Sequence, residues 1–289
     1  MPDVGYVYKD WPETAEHYPL LANPNRWYYT QRRGAVLFGC VHITAGIDDW
    51  DGGDGSAEAS IRYGQTCTRP ASWSAIVDAD TAQDCLPDRY VAFAQGVSGS
   101  PYSYNTHGYG VEIGARSTDW TSKPDWWVEV VLRRLAAVFA PRCIRYGIRP
   151  VHVSLAELNA DLAAGRPSGL IEHHEIDRAN RSDAGLFRGR ETFPWPQFLG
   201  YLREEINRLQ HPEEIDMPLT PEDLTKIRDL VKDELASTLR LIPGRVWAYE
   251  NLKHAKGDAW LLLRKALGLV KDDRPVNADG SPYVPEEAK

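Results

Sequence analysis

The sequence predicts an α/β or α+β domain over residues 1–210, followed by a small all-α module. Short apolar, β-rich runs alternate with amphipathic helical segments through the first part of the chain. Proline and acidic residues then concentrate in a linker at 211–219, and helical patterns follow it. With 289 residues, the chain can bury a sizeable core without disulfide bonds.

The strands and helices of the first domain follow from two periodicities. Apolar runs closed by Gly or Asp predict four strands of one sheet, at 35–46, 71–80, 89–96 and 109–116. Helical spacing predicts three helices, at 55–66, 122–140 and 194–210. In the second helix Val131, Leu135 and Val138 recur on one face, and Pro141 is expected to end it.

The C-terminal part is predicted to be a helical module over residues 220–270, followed by a disordered tail at 271–289. Pro243 and Gly244 interrupt the module, leaving two amphipathic helices that are too short to bury much core alone. We expect their apolar stripe to pack on a second copy of the chain or on the first domain.

Charge and hydropathy exclude several functional classes. The net charge of −8 lies entirely on residues 1–216, with 21 basic and 29 acidic side chains, whereas residues 217–289 carry 12 of each. Nucleic-acid binding needs clustered Lys and Arg, so nucleic acid is not expected as a partner. No apolar run is long enough to span a bilayer, and no basic region with an apolar run opens the chain. We therefore expect neither membrane insertion nor Sec export.

The four cysteines are expected to be buried free thiols. Cys40, Cys67, Cys85 and Cys143 are scattered and form no C-x-x-C pair. Neither a disulfide framework nor a thiolate zinc site is indicated.

Candidate metal ligands come from two distant segments. Zinc hydrolases typically use three His and carboxylate ligands and keep a fourth position for water. His42 lies in a predicted strand that ends at Ala45, while His173 and Asp183 lie ten positions apart in the stretch "EHHEIDRANRSDAG". Each is weak evidence alone, because a single strand histidine is more often a core residue than a ligand.

Taken in order, three segments resemble the type 2 N-acetylmuramoyl-L-alanine amidases, which include peptidoglycan-recognition proteins and many phage endolysins. "GCVHITAG" resembles the first zinc-histidine strand of that family, and "NTHGYGVEIGAR" is similar to its Asn, spacer, Gly-Ile-Glu strand. "EHHEIDRANRSDAGLFRGRETFPWPQF" resembles its last signature, Gly-His-Arg-Asp/Glu-Ile/Val, followed by Asp-Pro-Gly and then Phe-Pro-Trp. The resemblance covers residues 36–200 and implies a mixed central β-sheet flanked by helices.

The resemblance also distinguishes the two adjacent histidines. The family's Asp follows its ligand histidine by ten residues, and this spacing holds from His173 and not from His174. The resemblance therefore implies that His42, His173 and Asp183 bind Zn²⁺, with His174 in the family's Arg position.

Several positions depart from the family pattern. Ala184 replaces the Pro of Asp-Pro-Gly, and Trp73 and Ser74 replace a tyrosine and a histidine. "AFAQG" (92–96) stands where the family has Ala-Trp-His-Ala-Gly. These departures affect the expected substrate contacts more than the metal ligands.

The resemblance assigns catalytic roles to two further residues. Glu112 would be the general base, and Arg181 would stabilise the oxyanion, in hydrolysis of the amide between N-acetylmuramic acid and L-alanine of the stem peptide. Without the resemblance, Glu112 reads as a surface carboxylate at a strand end and Arg181 as a solvated loop charge. Expected substrate-binding residues are Trp73, Asn105, His107 and His174.

The resemblance and the absent export signal together predict an endolysin of the actinobacteriophage type that lyses the host. Such an enzyme would be made in the host cytoplasm and reach peptidoglycan after holin-type release. A non-catalytic peptidoglycan-binding module and a tail-associated wall-degrading protein are the alternatives.

The C-terminal helices are expected to bind the wall or to form a homo-oligomer. Met217 follows Glu213 and Glu214, whose codons are purine-rich, so a second translation start could yield a short product. Coincidence is the alternative reading of that Met217 pattern.

Overall fold

The computed structural model describes residues 6–29, 31–45, 56–97, 100–212, 270–271 and 274–275. The chain divides into two compact units, residues 1–215 and 216–289. The strands of the first unit are β1 (Tyr28–Tyr29), β2 (Phe38–Ile43), β3 (Ala75–Val77), β4 (Ala82–Asp84), β5 (Val91–Ala92), β6 (Gly108–Ile113), β7 (Leu170–Glu172), β8 (Leu186–Phe187) and β9 (Arg190–Glu191). Its helices are α1 (Ser56–Thr66), α2 (Tyr104–His107), α3 (Asp119–Ser122), α4 (Asp125–Tyr146), α5 (Leu155–Ala163), α6 (His173–Ile176) and α7 (Trp195–Gln210). Among these described helices, none is long and apolar enough to cross a bilayer.

A five-stranded mixed sheet forms the centre of the first unit, in the order β4-β3-β6-β2-β7. Strands β3, β6, β2 and β7 pair in parallel, and β4 pairs antiparallel with β3 at one edge. Helices lie against this sheet, so the predicted α/β fold with a mixed central sheet flanked by helices is confirmed.

The two faces of the sheet bury different cores, because side chains alternate along each strand. Val41, Val111 and Ile113 face the larger core, which includes α4 and α7. The α4 and α7 side chains in this core include Leu132, Leu135, Phe139, Phe198 and Leu202. Phe38 and Cys40 face the opposite side, where Tyr104 and Leu158 pack. His42 lies two positions after Cys40 and therefore shares its face, while Glu112 lies one position before Ile113 and therefore faces away from the larger core.

Helix α4 extends past Pro141, so the prediction that this proline ends the helix is wrong. The helix ends at Tyr146, and Gly147 adopts the left-handed conformation with φ of 68°. A proline inside a helix costs about 3 kcal/mol, because it removes a hydrogen bond and clashes with the preceding turn. Apolar side chains that the same helix buries, among them Val138 and Phe139, offset this cost. The residue after the proline, Arg142, is also buried, with its guanidinium 2.8 Å from Asp84 and 3.4 Å from Asp88.

The run 89–96 was predicted to be a strand of the central sheet, and this is also wrong. Only β5 is extended there, and it pairs with β1 in a separate two-stranded ribbon. Beyond β5, side-chain oxygens accept hydrogen bonds from the backbone N–H groups. The N–H of Phe93 donates to Ser72 Oγ, and the N–H of Gln95 donates to Asn105 Oδ1. These bonds replace a strand ladder.

Several short elements were missed by the sequence analysis, among them helix α5 and strands β4 and β7. Helix α5 begins with a capping box, in which Ser154 and Glu157 each accept a backbone N–H of the other. The spacing Ser-x-x-Glu was therefore a readable signal for α5. Strand β7 has only three residues and no alternation of polar and apolar side chains to reveal it.

All four cysteines are free and buried, as expected. The described parts of the second unit are β10 (Val270–Lys271) and β11 (Arg274–Pro275), which pair antiparallel. The predicted helices within 220–270, the Met217 start and the rest of the tail lie outside the described residues.

We predict that Arg142→Met destabilises the protein by about 3–5 kcal/mol, because it leaves buried carboxylates without their partner. Arg208→Met is the matched control, since it removes only an exposed ion pair with Glu205, worth less than about 1 kcal/mol. Urea unfolding of both variants measures the difference. Equal effects of the two substitutions would contradict a structural role for Arg142.

Candidate metal centre

Strand β2 brings three candidate residues side by side. His42 is opposite Glu112 in the parallel pairing of β2 with β6. On the other side, Val41 is opposite Glu172, the last residue of β7. The next residue, His173, therefore lies beside His42, and their ring centroids are 4.5 Å apart. The site forms at the carboxyl ends of parallel strands, where such sheets usually carry their sites.

Asp183 reaches the two imidazoles from a loop. Its Oδ2 lies 3.2 Å from Nδ1 of His173 and 3.4 Å from Nδ1 of His42. One ligand atom from each of these three residues lies within 4.8 Å of the others. The structure thus brings together the three predicted ligands.

The donor set fits a zinc ion. Zn²⁺ in a tetrahedral site binds its ligands at about 2.0–2.2 Å, which places neighbouring ligand atoms about 3.3–3.6 Å apart. The two measured nitrogen–oxygen distances are close to this separation. Two imidazole nitrogens and one carboxylate oxygen also match the ligand types of catalytic zinc sites.

The ionisation states favour metal binding as well. Burial, together with the charge of His173, lowers the pKa of His42 to about 4, although Asp183 opposes this shift. Burial would raise the pKa of Asp183, but hydrogen bonds and charges from His173 and His42 outweigh it and hold the pKa well below its usual range. At neutral pH His42 is therefore a neutral imidazole and Asp183 an ionised carboxylate, the forms that ligate metals.

Gln95 is a buried residue near this centre that the sequence analysis missed. Its side chain is fully buried and lies over two glycines of β6, Gly108 and Gly110. A Cβ on Gly110 would stand 2.6 Å from Oε1 of Gln95 and 3.3 Å from Nε2 of His42. Both of those atoms are buried without a hydrogen-bond partner among the described residues. Glycine at position 110 thus leaves room for the close approach of these two side chains.

Glu112 has the properties of a proton-transfer group. Its Oε2 is shielded from solvent and has no hydrogen-bond partner in the described part of the chain. Burial and the charge of Asp183 raise the pKa of Glu112 to about 8, against the lowering effect of Arg181. A cation bound by the three ligands would lower this pKa, because it favours the ionised form.

Arg181 is the exposed member of the group. Its positive charge lowers the pKa of both Glu112 and His42, so its guanidinium lies close enough to act on the centre electrostatically. Both predicted catalytic residues therefore belong to the same neighbourhood as the three ligands.

Three of the predicted substrate-binding residues make contacts within the fold instead of presenting a free side chain to a substrate. Trp73 is 6% exposed and packs in an apolar cluster with Leu20 and Ile76. Asn105 uses its side-chain oxygen to accept the N–H of Gln95. His107 precedes β6 and lies 3.0 Å from the carbonyl of Ala35, at the opposite end of the strand from Glu112, about 16 Å away along it.

His174 is buried in an ion-pair chain rather than exposed to a substrate. Its Nδ1 lies 3.2 Å from Glu172 and its Nε2 lies 3.1 Å from Glu191. Burial lowers the pKa of His174, but the hydrogen bonds and charges of the two carboxylates outweigh it and raise the pKa to about 9. Because each ring nitrogen faces a different carboxylate, this trio has the geometry of an imidazolium between two anions and not of a metal chelate.

Comparisons with known proteins return structural similarity only. No family model matches the chain, and no curated protein matches it. Among solved structures, the Staphylococcus aureus hydrolase AmiA in complex with its ligand is 18% identical, with 61% of this chain and 76% of that chain covered and a TM-score of 0.40. The catalytic domain of XlyA is 16% identical over 60% of this chain and 91% of that chain, with a TM-score of 0.38. A mutant endolysin from Bacillus subtilis is 16% identical over 60% and 90%, with a TM-score of 0.36. The function has to be argued from the site itself.

We predict that Glu112→Gln changes how stability depends on pH in the metal-free protein. The folded state keeps the Glu112 proton up to a pKa of about 8, whereas the unfolded chain releases it near 4.5. The wild type therefore loses stability as pH rises between these values, while a glutamine does not titrate. The variant should match the wild type near pH 4.5 and exceed its stability at pH 8.5 by at most about 5 kcal/mol.

Urea unfolding with chelator, from pH 4.5 to pH 9, tests this expectation. Glu204→Gln is the matched control, because Glu204 lies on the surface of α7 and its ion pair among the described residues is with Arg133. A difference between wild type and Glu112→Gln that stays constant with pH would contradict the raised pKa of Glu112.

Proposed function

We propose that the first unit is a zinc-dependent amidase that hydrolyses the bond between N-acetylmuramic acid and L-alanine of the peptidoglycan stem peptide. In this proposal residues 1–210 are the catalytic domain, and His42, His173 and Asp183 hold the zinc ion. Glu112 and Arg181 carry the proton-transfer and charge-stabilising steps.

One observation carries the proposal. His42 and Asp183 lie about 140 residues apart in the chain, and motif resemblance alone nominated them together with His173. Their ligand atoms nevertheless converge within 4.8 Å, on the sheet face that also holds Glu112. Chance convergence of three nominated residues with metal-ligand chemistry is a poor explanation for this arrangement, so it supports a hydrolytic metal centre.

The chain's own residues supply proton transfer and charge. Zinc at such a site supplies Lewis acidity, which activates water near neutral pH and polarises an amide carbonyl. Glu112, whose pKa of about 8 would be lowered by a bound cation, accepts a proton from the attacking water and donates it to the departing amine of L-alanine. Arg181 places a positive charge where the carbonyl oxygen gains negative charge.

Retention of Asp183 favours an enzyme over a binding module. A peptidoglycan-binding protein without activity needs no carboxylate directed between two buried imidazoles. Asp183 holds this position at 3.2 and 3.4 Å from the two nitrogens, which supports catalysis.

We extend the proposal to the biological setting that the family resemblance implies. The chain acts as a phage endolysin, made in the host cytoplasm and reaching the wall through holin-type release, and degrades the wall during host lysis. A lysis gene would lie beside a holin gene, whereas a tail-associated protein would lie among structural genes. The roles of residues 220–270 in wall binding or oligomerisation, and of Met217 as a start, stay predictions.

We predict that chelation and Asp183→Ala each abolish release of L-alanine-terminated peptides from purified cell walls. Losing one of three ligands should reduce activity by more than about 100-fold, since metal-assisted steps supply several kcal/mol. Added Zn²⁺ should restore the chelated wild type but not the variant. Asp177→Ala is the matched control, because Asp177 lies in the same loop and its side chain accepts hydrogen bonds from Asn180, its partner in the described part of the chain. Activity that survives both treatments would end the zinc-amidase proposal.

We also predict that Glu112→Gln and Arg181→Met impair catalysis without impairing metal binding. Removing the proton-transfer group should lower kcat by about 10²–10⁴-fold. Removing the charge should cost about 10–100-fold, less than a preorganised donor in an enclosed site because Arg181 is exposed. Zinc content should stay at one ion per chain in both. Arg178→Met, an exposed arginine of the same loop, should retain full activity; zinc loss in either variant would contradict the assigned roles.

A further inference from the structure

A buried carboxylate next to the candidate ligands has no role in the proposed chemistry. Glu172 ends β7 and is 0% exposed. Its Oε1 accepts a hydrogen bond from Nε1 of Trp195 at 2.6 Å, and its Oε2 accepts one from the N–H of Ala184 at 3.1 Å. Nδ1 of His174 lies 3.2 Å from the same Oε2. Three donors from three different segments thus converge on one buried side chain.

The same contacts hold the backbone that carries Asp183. The carbonyl of Asp183 accepts the N–H of His174 at 2.7 Å, and the carbonyl of Ala184 accepts Nε1 of Trp120 at 3.0 Å. The N–H between these carbonyls is the one that Glu172 binds. With its backbone fixed at three points, the turn directs the carboxylate of Asp183 toward Nδ1 of His42 and of His173.

A hydrogen bond joins the backbone N–H of Ala184 to Oε2 of Glu172. In the signature that this segment resembles, Gly precedes the ligand histidine and Pro follows the ligand Asp. Here those positions hold Glu172 and Ala184. Proline has no N–H to donate, so it would leave a buried carboxylate oxygen short of a donor. Glu172 and Ala184 therefore supply a matched acceptor and donor, a bond that the Gly and Pro of the signature could not form.

We infer that Glu172 is a positioning residue of the metal centre, which sets the orientation of Asp183 through the N–H of Ala184. The inference rests on the proposed function, because it takes Asp183 to be a metal ligand. Outer hydrogen-bond partners of metal ligands commonly change metal affinity by 10–100-fold when removed.

A double-mutant cycle tests the link between the two positions. Zinc dissociation constants are measured by chelator competition for wild type, Glu172→Gly, Ala184→Pro and the double variant. Each single substitution should weaken zinc binding by about 10–100-fold. In the Glu172→Gly background, Ala184→Pro should change the constant by less than about threefold, because the bond is already absent. Losses that multiply in the double variant, or unchanged affinity in both single variants, would overturn the inference.

Two further variants separate positioning from stability. Glu172→Gln preserves side-chain volume and should still weaken zinc binding about tenfold, which keeps the inference testable if Ala184→Pro does not fold. Trp195→Phe removes a donor to the other oxygen, so it should lower the Tm of the metal-free protein but change the zinc constant less than about threefold. Equal weakening by Trp195→Phe would assign Glu172 a purely structural role.

Failure of the inference can be told apart from failure of the proposed function. A wild type that binds no zinc overturns both. A wild type that binds zinc and hydrolyses cell walls, with Glu172→Gln and Ala184→Pro binding as tightly, overturns the positioning role alone.

Discussion

The parallel pairing of β2 with both of its neighbours is the constraint on which the rest of the site depends. It places Glu112 on β6 directly opposite His42 on β2, and it places His173, which follows the last residue of β7, beside His42. A shift of one residue would turn the side chain of His42 to the opposite face, among the apolar residues that pack on α4 and α7. The apolar alternation of Val41 and Ile43 prevents that shift, so hydrophobic burial on one face fixes polar chemistry on the other.

Burying polar and charged groups close to the candidate metal centre costs electrostatic free energy, and their hydrogen-bond and ion-pair partners offset that cost. Asp183 is ionised between two imidazoles, and Glu172 is surrounded by three donors. Glu112 is an exception, as are the unpartnered atoms of Gln95 and His42: its Oε2 has no partner among the described residues, and burial raises its pKa. A carboxylate left unpaired at such a place is typical of functional rather than structural residues.

The features that local sequence patterns encode could be predicted from the sequence. Helices α1 and α7 and the cysteine state follow from periodicity, composition and spacing, whereas the family resemblance implied the mixed sheet and nominated the residues that converge at the centre. Other features depend on tertiary packing that no local pattern reports. Helix α4 continues through Pro141 because its apolar side chains are buried in the core, and Trp73 packs inward against Leu20. Gln95 and Glu172 escaped notice for the same reason, since their roles arise only when separate segments meet.

The wide spacing of the three candidate ligands along the chain has a kinetic consequence. Positions 42 and 173 become neighbours only after β2 has paired with β7, a contact between segments about 130 residues apart. Long-range pairings of this kind form late and slowly, because loop-closure entropy opposes them. The three ligand atoms are therefore assembled only once this pairing has formed, so an ion bound by all three would be captured after it. Nascent chains would then be metal-free until the sheet closes, and exposure to chelators would matter most after folding rather than during synthesis.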